Sequence, residues 1–346
     1  MGICRPCHPR RVRHRSKPTP EQEERVVRAA YEKAGSSHHR LPQFYLRKFA
    51  GKNGRLELFH RNTGQRESRP PRRTFAEEGY YTIRDEDEQP FALAEALYES
   101  LENRASRLHG RLLEGESPAA FDNVQRSDYG FFLAAQITRG EAFRAFARRA
   151  GEMIGKETLR VQAEKVEAWW DNFVSELKRR GEEPPKLTAE EYRDFVRRDQ
   201  FRLEMSREHH MELSVMLLPD LAEVIINFAW HTVHLPEALL LTHEEPLSLW
   251  RSPSPEPERP ALGLGTCEEI RIALSPSCAL ILTHPSLGFT DRAGRGNERT
   301  AAWLNYWTYL FQHRGALVLC PDRAGQHLPV ADLLNPGFAA GPIVTE

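Results

Sequence analysis

The chain of 346 residues is long enough to bury a full core, as one large or two modest domains. Hydrophobic residues make up 40% and charged residues 28%, a globular balance, and a net charge of −1 leaves no global field to draw in nucleic acid. No apolar run reaches ~18 residues, so no membrane-spanning helix is expected, and the basic N-terminus lacks the apolar stretch of a signal peptide. The expected location is therefore the cytoplasm, with Cys4, Cys7, Cys267, Cys278 and Cys320 reduced.

In chain order, residues 1–17 hold Arg5, Arg10, Arg11, Arg13, Arg15 and Lys17 and no acid, which reads as a disordered basic tail. Cys4-Arg5-Pro6-Cys7-His8 has haem-attachment spacing, but an Arg- and Pro-rich tail offers no pocket. Half a zinc site there lacks a second ligand pair. Pro18–Ala34 reads as a short helix, with Glu21, Glu23 and Glu24 in its first turn. Asn53-Gly54 signals a type I′ turn, and Leu56, Leu58 and His60 alternate as in a strand. Asn62-Thr63-Gly64 makes a further turn and Tyr80-Tyr81-Thr82-Ile83 a further strand, giving a small β-meander. Arg61, Arg66, Arg69, Arg72 and Arg73 form a second basic run, read as a solvated loop.

Helices follow. Ala94, Leu97, Tyr98, Leu101, Ala105, Leu108 and Leu112 recur at helical spacing over roughly 90–114. A second helix is expected from about Ser127 to beyond Phe146. Residues 156–217, including Trp169 and Trp170, read as two or three amphipathic helices broken near Glu183-Pro184-Pro185, with His209-His210 at the surface. Asn227–His234, Ala238–Thr242, Ile270–Leu274, Ala279–Thr283 and Ala316–Cys320 read as strands, residues 251–266 as an exposed loop, and Ala301–Gln312 as a helix. The fold class is α+β. It has a mainly helical middle and a small, largely antiparallel sheet built from N-terminal and C-terminal strands. The organisation expected is a tail and short helix over 1–34, one domain over 35–322, and an extension over 323–346.

The densest mixture of polar and aromatic groups is His38-His39-Arg40-Leu41-Pro42-Gln43-Phe44-Tyr45-Leu46-Arg47-Lys48-Phe49. This opening resembles the signature of domain-of-unknown-function family 4238, to which no biochemical activity attaches. The resemblance runs over roughly 38–322. Glu95 and Glu102 resemble the family's paired-glutamate helix, and Phe132–Arg139 its Gln-x-x-Arg helix, with Gln136 and Arg139 in the named places. Leu241–Leu247 stands where the family has a Thr-Ser-Asp-x-Pro-Val element, with His243-Glu244 in place of Ser-Asp. That exchange puts in doubt any role needing the shorter reach of an aspartate. Ile272–Pro276 resembles the next strand and turn, and Asn305 the family's late asparagine.

Several chemistries are weighed against these residues. His38-His39, Asn53 and His60 have the order of a His-Asn-His nuclease, but His60 falls in a strand rather than a helix. His231, His234, His243, Glu244 and Glu245 are the richest set of ligand types, yet His231 and His234 on a strand face opposite sides. No metal and no cofactor is expected. There is no Gly-x-Ser-x-Gly elbow, no phosphate loop and no Rossmann fingerprint.

Two functional readings stay open, and whether the chain is an enzyme is left undecided between them. The first is a hydrolase or nuclease-like enzyme on a phosphate-bearing substrate, a small molecule or nucleic acid. His39, Glu102 and Glu244 would be catalytic, and Gln43, Gln136, Arg139 and Asn305 would bind substrate. The second is a non-catalytic binding or regulatory protein in which these groups form a structural polar network. In either case His39, Gln43 and Arg139 are expected to meet, because a buried guanidinium must be paired. The sequence says nothing of oligomeric state.

Overall fold

The computed structural model describes residues 19–60, 62–235, 240–253, 260–311 and 316–319. The basic tail, the 323–346 extension, and Cys4, Cys7 and Cys320 lie outside the described residues. Backbone contacts divide the chain into two compact units: residues up to Gly140 together with those from Leu213 onward, and Glu141–Glu212.

The first unit begins with α1 (Pro20–Lys33), β1 (Ser37–His39), α2 (Gln43–Leu46), β2 (Leu56–His60), β3 (Gln65–Arg69), β4 (Ala76–Glu78), β5 (Ile83–Arg84), β6 (Pro90–Phe91), α3 (Leu93–Leu113) and α4 (Asn123–Thr138). Next come α5 (Glu141–Ala163), α6 (Val166–Arg179), α7 (Ala189–Arg198) and α8 (Arg207–Met216). The chain continues with α9 (Leu218–Asn227), β7 (Ala229–His234), β8 (Thr242–His243), β9 (Ser248–Trp250), β10 (Glu269–Ser275), β11 (Cys278–Thr283), β12 (Arg292–Arg295), α10 (Glu298–Phe311) and β13 (Ala316–Leu319). The fold is α+β. The four-stranded sheet, ordered β3-β2-β13-β8, joins the N-terminal hairpin to C-terminal strands. A second sheet, ordered β12-β7-β11-β10-β9, comes wholly from the later chain and contains a parallel pair, β12 with β7.

Several expected elements differ. The helix expected over Ser127–Phe146 is two helices, parted at Arg139-Gly140. A side chain at Gly140 would put its Cβ 2.8 Å from Glu245 Oε1, so the glycine admits a neighbour rather than extending a helix. Tyr80 and Tyr81 lie in a turn, not a strand; their rings are buried, and the Tyr81 N–H donates to His38 Nδ1 at 2.8 Å. The polar β4 before them shows no apolar alternation to announce it. At Asn53-Gly54 only Gly54 takes a positive φ, +71°, which excludes a type I′ turn. Instead the Asn53 side chain accepts the Arg55 N–H at 2.9 Å, an Asx-type turn. Asn227 ends a helix rather than opening a strand. His210, expected at the surface, is buried.

The five-stranded sheet is covered on one face by α4 and α9. These helices approach closely at Gly130, where a Cβ would stand 2.5 Å from Ile226 Cγ1. Arg126, near the start of α4, is 2% exposed. Its Nε donates to the Ile226 carbonyl at 2.9 Å and its Nη2 to the Phe228 carbonyl at 2.6 Å, closing the C-terminal end of α9. Its Nη1 meets Asp291 Oδ2 at 2.8 Å, and Asp291 Oδ1 accepts the Trp230 N–H at 2.8 Å. The guanidinium lies 4.3 Å from the Trp230 ring. On the same side, buried His109 of α3 donates from Nε2 to the Leu274 carbonyl at 2.9 Å and accepts the Tyr129 hydroxyl at Nδ1. Burial pushes His109 down to about 4, so it stays neutral.

The second unit is helical. Thr188 and Glu191 form a capping box that starts α7. Asp199 ends that helix in the left-handed region and pairs with Lys156 at 2.9 Å and Arg160 at 3.1 Å. Trp169, Trp170, Phe173 and Tyr192 pack edge to face and tilted, lining a cavity of about 620 Å³.

Removing Arg126 takes the guanidinium away from the buried Asp291 carboxylate and opens two carbonyls. We expect Arg126→Ala to cost about 3–5 kcal/mol in chemical denaturation. Adding Asp291→Asn should recover part of that loss. An unchanged midpoint for the single variant would contradict the role assigned to Arg126.

Candidate functional site

The signature segment builds outward from β1. Successive strand residues face opposite sides, so His38 and His39 part. His38 is fully buried; its Nδ1 accepts from Tyr81, leaving Nε2 to donate to the Lys33 carbonyl at 2.8 Å. The imidazole of His39 donates instead to the Arg72 carbonyl at 3.1 Å. Pro42 then opens α2. Phe44 packs on His109 and Phe132, and the Tyr45 hydroxyl donates to the Ala273 carbonyl and accepts from Thr242, both at 2.6 Å. Tyr45 therefore ties α2 to β8 and β10, and burial pushes its phenol well up. Gln43 accepts from Arg47 Nη2 one helical turn later, at 3.1 Å.

Arg139 caps the end of α4 and is 1% exposed. Its Nε donates to the Ala135 carbonyl at 3.2 Å, and its Nη1 to Glu102 Oε1 at 2.8 Å. The same Nη1 makes a long contact of 3.4 Å to the carbonyl of His39. The guanidinium lies 4.8 Å from the Tyr98 ring, and Nη2 is buried without a partner. Glu95 sits two turns before Glu102 on α3. Burial first, and the Glu102 charge second, push its carboxyl up to about 7, against the pull of Arg139 and Lys33.

A ladder of rings extends this group. Arg40 lies 5.6 Å from Tyr80, Tyr80 stands edge-on to Tyr81 at 4.8 Å, and Tyr81 edge-on to Tyr98 at 5.2 Å. Arg40 pairs with Glu244 at 3.1 Å, while its Nε and the Tyr81 hydroxyl are buried without partners. Glu245 abuts Gly140, next to Arg139. The ends of β1 and α4 and the 243–245 segment thus meet at one corner.

The structure therefore brings Glu102, Arg139 and the backbone of His39 together, with the Arg40–Glu244 pair alongside. Of the three residues expected to meet, His39 reaches Arg139 through its carbonyl, while its ring bonds to Arg72 and Gln43 bonds to Arg47. Gln136 donates to the Phe132 carbonyl of its own helix at 3.2 Å, with Oε1 unpartnered. Asn305 accepts the Leu241 N–H at 2.9 Å and so fastens a loop. Glu95, Arg40 and Tyr81 were not singled out from sequence as site residues. Glu95 was legible as the partner of Glu102, whereas the Tyr80-Tyr81 pair carried only a strand signal. Among the described residues, no group of three or more His, Cys, Asp or Glu is arranged to hold a metal. Cys267 and Cys278 are free and buried, which pushes their thiols up to about 11 and about 12.

Two outcomes follow. Arg139→Ala strands Glu102 and should cost about 3–5 kcal/mol by denaturant titration, whereas His39→Ala, losing one bond to a carbonyl, should cost ~1 kcal/mol. Equal costs would overturn this ranking. Glu95 is raised from 4.5 to about 7 in the folded chain. Below pH 4.5 both folded and unfolded forms are protonated there and the folded state bears no penalty. As pH rises from 4.5 to about 7 the unfolded carboxyl is ionised while the folded one keeps its proton, so stability falls by roughly 3 kcal/mol and levels off above that range. Glu95→Gln should remove that slope from the pH–stability curve; an unchanged curve would contradict the assignment.

A family model described as "Protein of unknown function (DUF4238)" matches residues 37–310. No curated protein and no solved structure matches the chain. Among the described residues, no helix is long and apolar enough to cross a membrane. The match spans well over half of the sequence, and the chain belongs to domain-of-unknown-function family 4238.

Proposed function

We propose that the chain is a binding protein for a phosphate-bearing small molecule, with the signature segment acting as the clamp of the site rather than its catalyst. One observation carries this reading. Arg139 Nη2, Arg40 Nε and the Tyr81 hydroxyl are buried at one corner without partners. An unmet buried donor costs about 1–3 kcal/mol, and phosphate oxygens would satisfy all three. Arginine suits this role because its planar fork matches phosphate geometry. Binding is favoured over catalysis because the remaining polar residues have other tasks. His39 holds Arg72, Gln43 holds Arg47, and Asn305 fastens Leu241.

A second reading, a hydrolase acting on the same class of substrate, is favoured by Glu95 alone. A carboxyl pushed up to about 7 can give a proton to a leaving group near neutral pH. In that reading Glu95 and Glu102 replace the set of His39, Glu102 and Glu244, with Arg139 holding the anion.

Inorganic phosphate should raise the thermal midpoint of the wild-type chain in a concentration-dependent way. Arg40→Gln, at a partly exposed position, should abolish that rise while shifting the unliganded midpoint by no more than ~3 °C. No rise, or an equal rise in the variant, sinks the binding reading. Turnover of p-nitrophenyl phosphate that vanishes in Glu95→Gln would establish the hydrolase instead.

A further inference from the structure

A second polar site lies away from this corner, on the face of the five-stranded sheet opposite α4 and α9. The strand registers place Arg292, His231, Ile281, Arg271 and Ser248 in one row across all five strands. Glu269 and Thr283 pair in the next row. One end of the row is closed. Arg271 is held by Glu269 at 2.8 Å, and its guanidinium lies 3.4 Å from the Trp303 ring and 4.6 Å from Trp250. The other end is a cavity of about 20 Å³, lined by His231, Glu269, Thr283, Phe289 and Arg292 among others. That volume admits one oxygen-sized group.

His231 is the reason to read the cavity as a site. It is only 7% exposed, and neither ring nitrogen has a partner. A buried imidazole with two unmet nitrogens is costly unless something occupies the space beside it. Burial and the Arg292 charge push His231 down to about 4, so at neutral pH it offers one N–H donor. Its ring stands edge-on to Phe289 at 5.7 Å, and Phe289 lies 5.8 Å from Arg292 at the mouth.

Charge selects the ligand. The charged groups around His231 are Arg292 and Asp291 from the β12 segment and Glu269 from β10. Asp291 is held by buried Arg126, and Glu269 by buried Arg271. Both carboxylates are thus held by buried guanidiniums, and Arg292 is the cation lining the mouth. A carboxylate carries one negative charge, matching a single guanidinium, whereas a phosphate monoester carries about 1.5 to 2.

We propose that this cavity binds the carboxylate of a small organic acid, one oxygen entering to accept the His231 N–H and the other meeting Arg292 at the mouth. Glu269 and Arg271 form the fixed wall of the site.

The test is an NMR titration of the His231 imidazole at pH 7 with acetate, with sodium chloride at matched ionic strength as control. Acetate should shift the resonance saturably and chloride should not. Arg292→Ala, at an exposed position, should weaken the acetate response about tenfold, the loss of one charge-assisted bond. Arg40→Gln should leave it unchanged, which separates this site from the corner around Arg139. No saturable shift, an equal shift with chloride, or an unaltered response in Arg292→Ala overturns the proposal. A response to inorganic phosphate at lower concentration than acetate overturns the carboxylate assignment.

Discussion

The first unit depends on the Arg126 guanidinium. Three of its nitrogens reach three different places: the last turn of α9, the residue that begins β7's approach, and the carboxylate before β12. A helix end buried against a sheet leaves carbonyls that water cannot reach. Arg126 supplies donors to two of them, and Asp291 returns the charge while accepting the first N–H of the Trp230 peptide. Because β7 sits between β11 and β12, fixing its start fixes the row on which His231 and Arg292 lie. Packing alone would not do this, since apolar contacts tolerate small slides that directional hydrogen bonds do not.

The signature segment solves a similar problem at another junction. Its aromatic and histidine groups fasten neighbours: His38 closes α1 onto the Tyr80-Tyr81 turn, and Tyr45 bridges two sheets through Thr242 and Ala273. Each bond is made in the dry interior, where an unmet group is penalised most. A stretch so rich in polar and aromatic side chains can look catalytic, yet most of its polar atoms already hold another part of the fold. What it leaves over is the Arg40–Tyr80–Tyr81–Tyr98–Arg139 ladder, with donors that the protein itself does not use.

Both polar sites share a design in which each arginine is paired once and left incomplete. Arg139 has Glu102 and Arg271 has Glu269, so neither charge is isolated. Each still presents a nitrogen without a hydrogen-bond partner. Arg271 also forms an ion pair with Glu269 through Nη2 at 2.7 Å. Burial against three tryptophan rings pushes this guanidinium down to about 10, still charged at neutral pH.

The sequence by itself determined the α+β class, the long α3 stripe from Ala94 to Leu112, the strand β2 with the turn at Gly64 after it, and the strands β10 and β11, whereas Arg66 and Arg69, expected in a solvated loop, lie in β3. These follow from local periodicity and turn chemistry, which need no knowledge of distant residues. It also showed Glu95, Glu102 and Arg139 as polar groups beside apolar stripes, because helical spacing reveals a face. Only the tertiary structure decided which partner each polar group took. His39 could have turned to Arg139 and instead reached Arg72; Gln43 could have crossed the interface and instead bonded one turn along its own helix. The helix break at Gly140 lies against Glu245, more than a hundred residues away, and the placing of His231 beside Arg292 depends on the order of five strands. Such choices are set by which donors and acceptors become neighbours when the chain closes, and that is a property of the packed molecule rather than of any one segment.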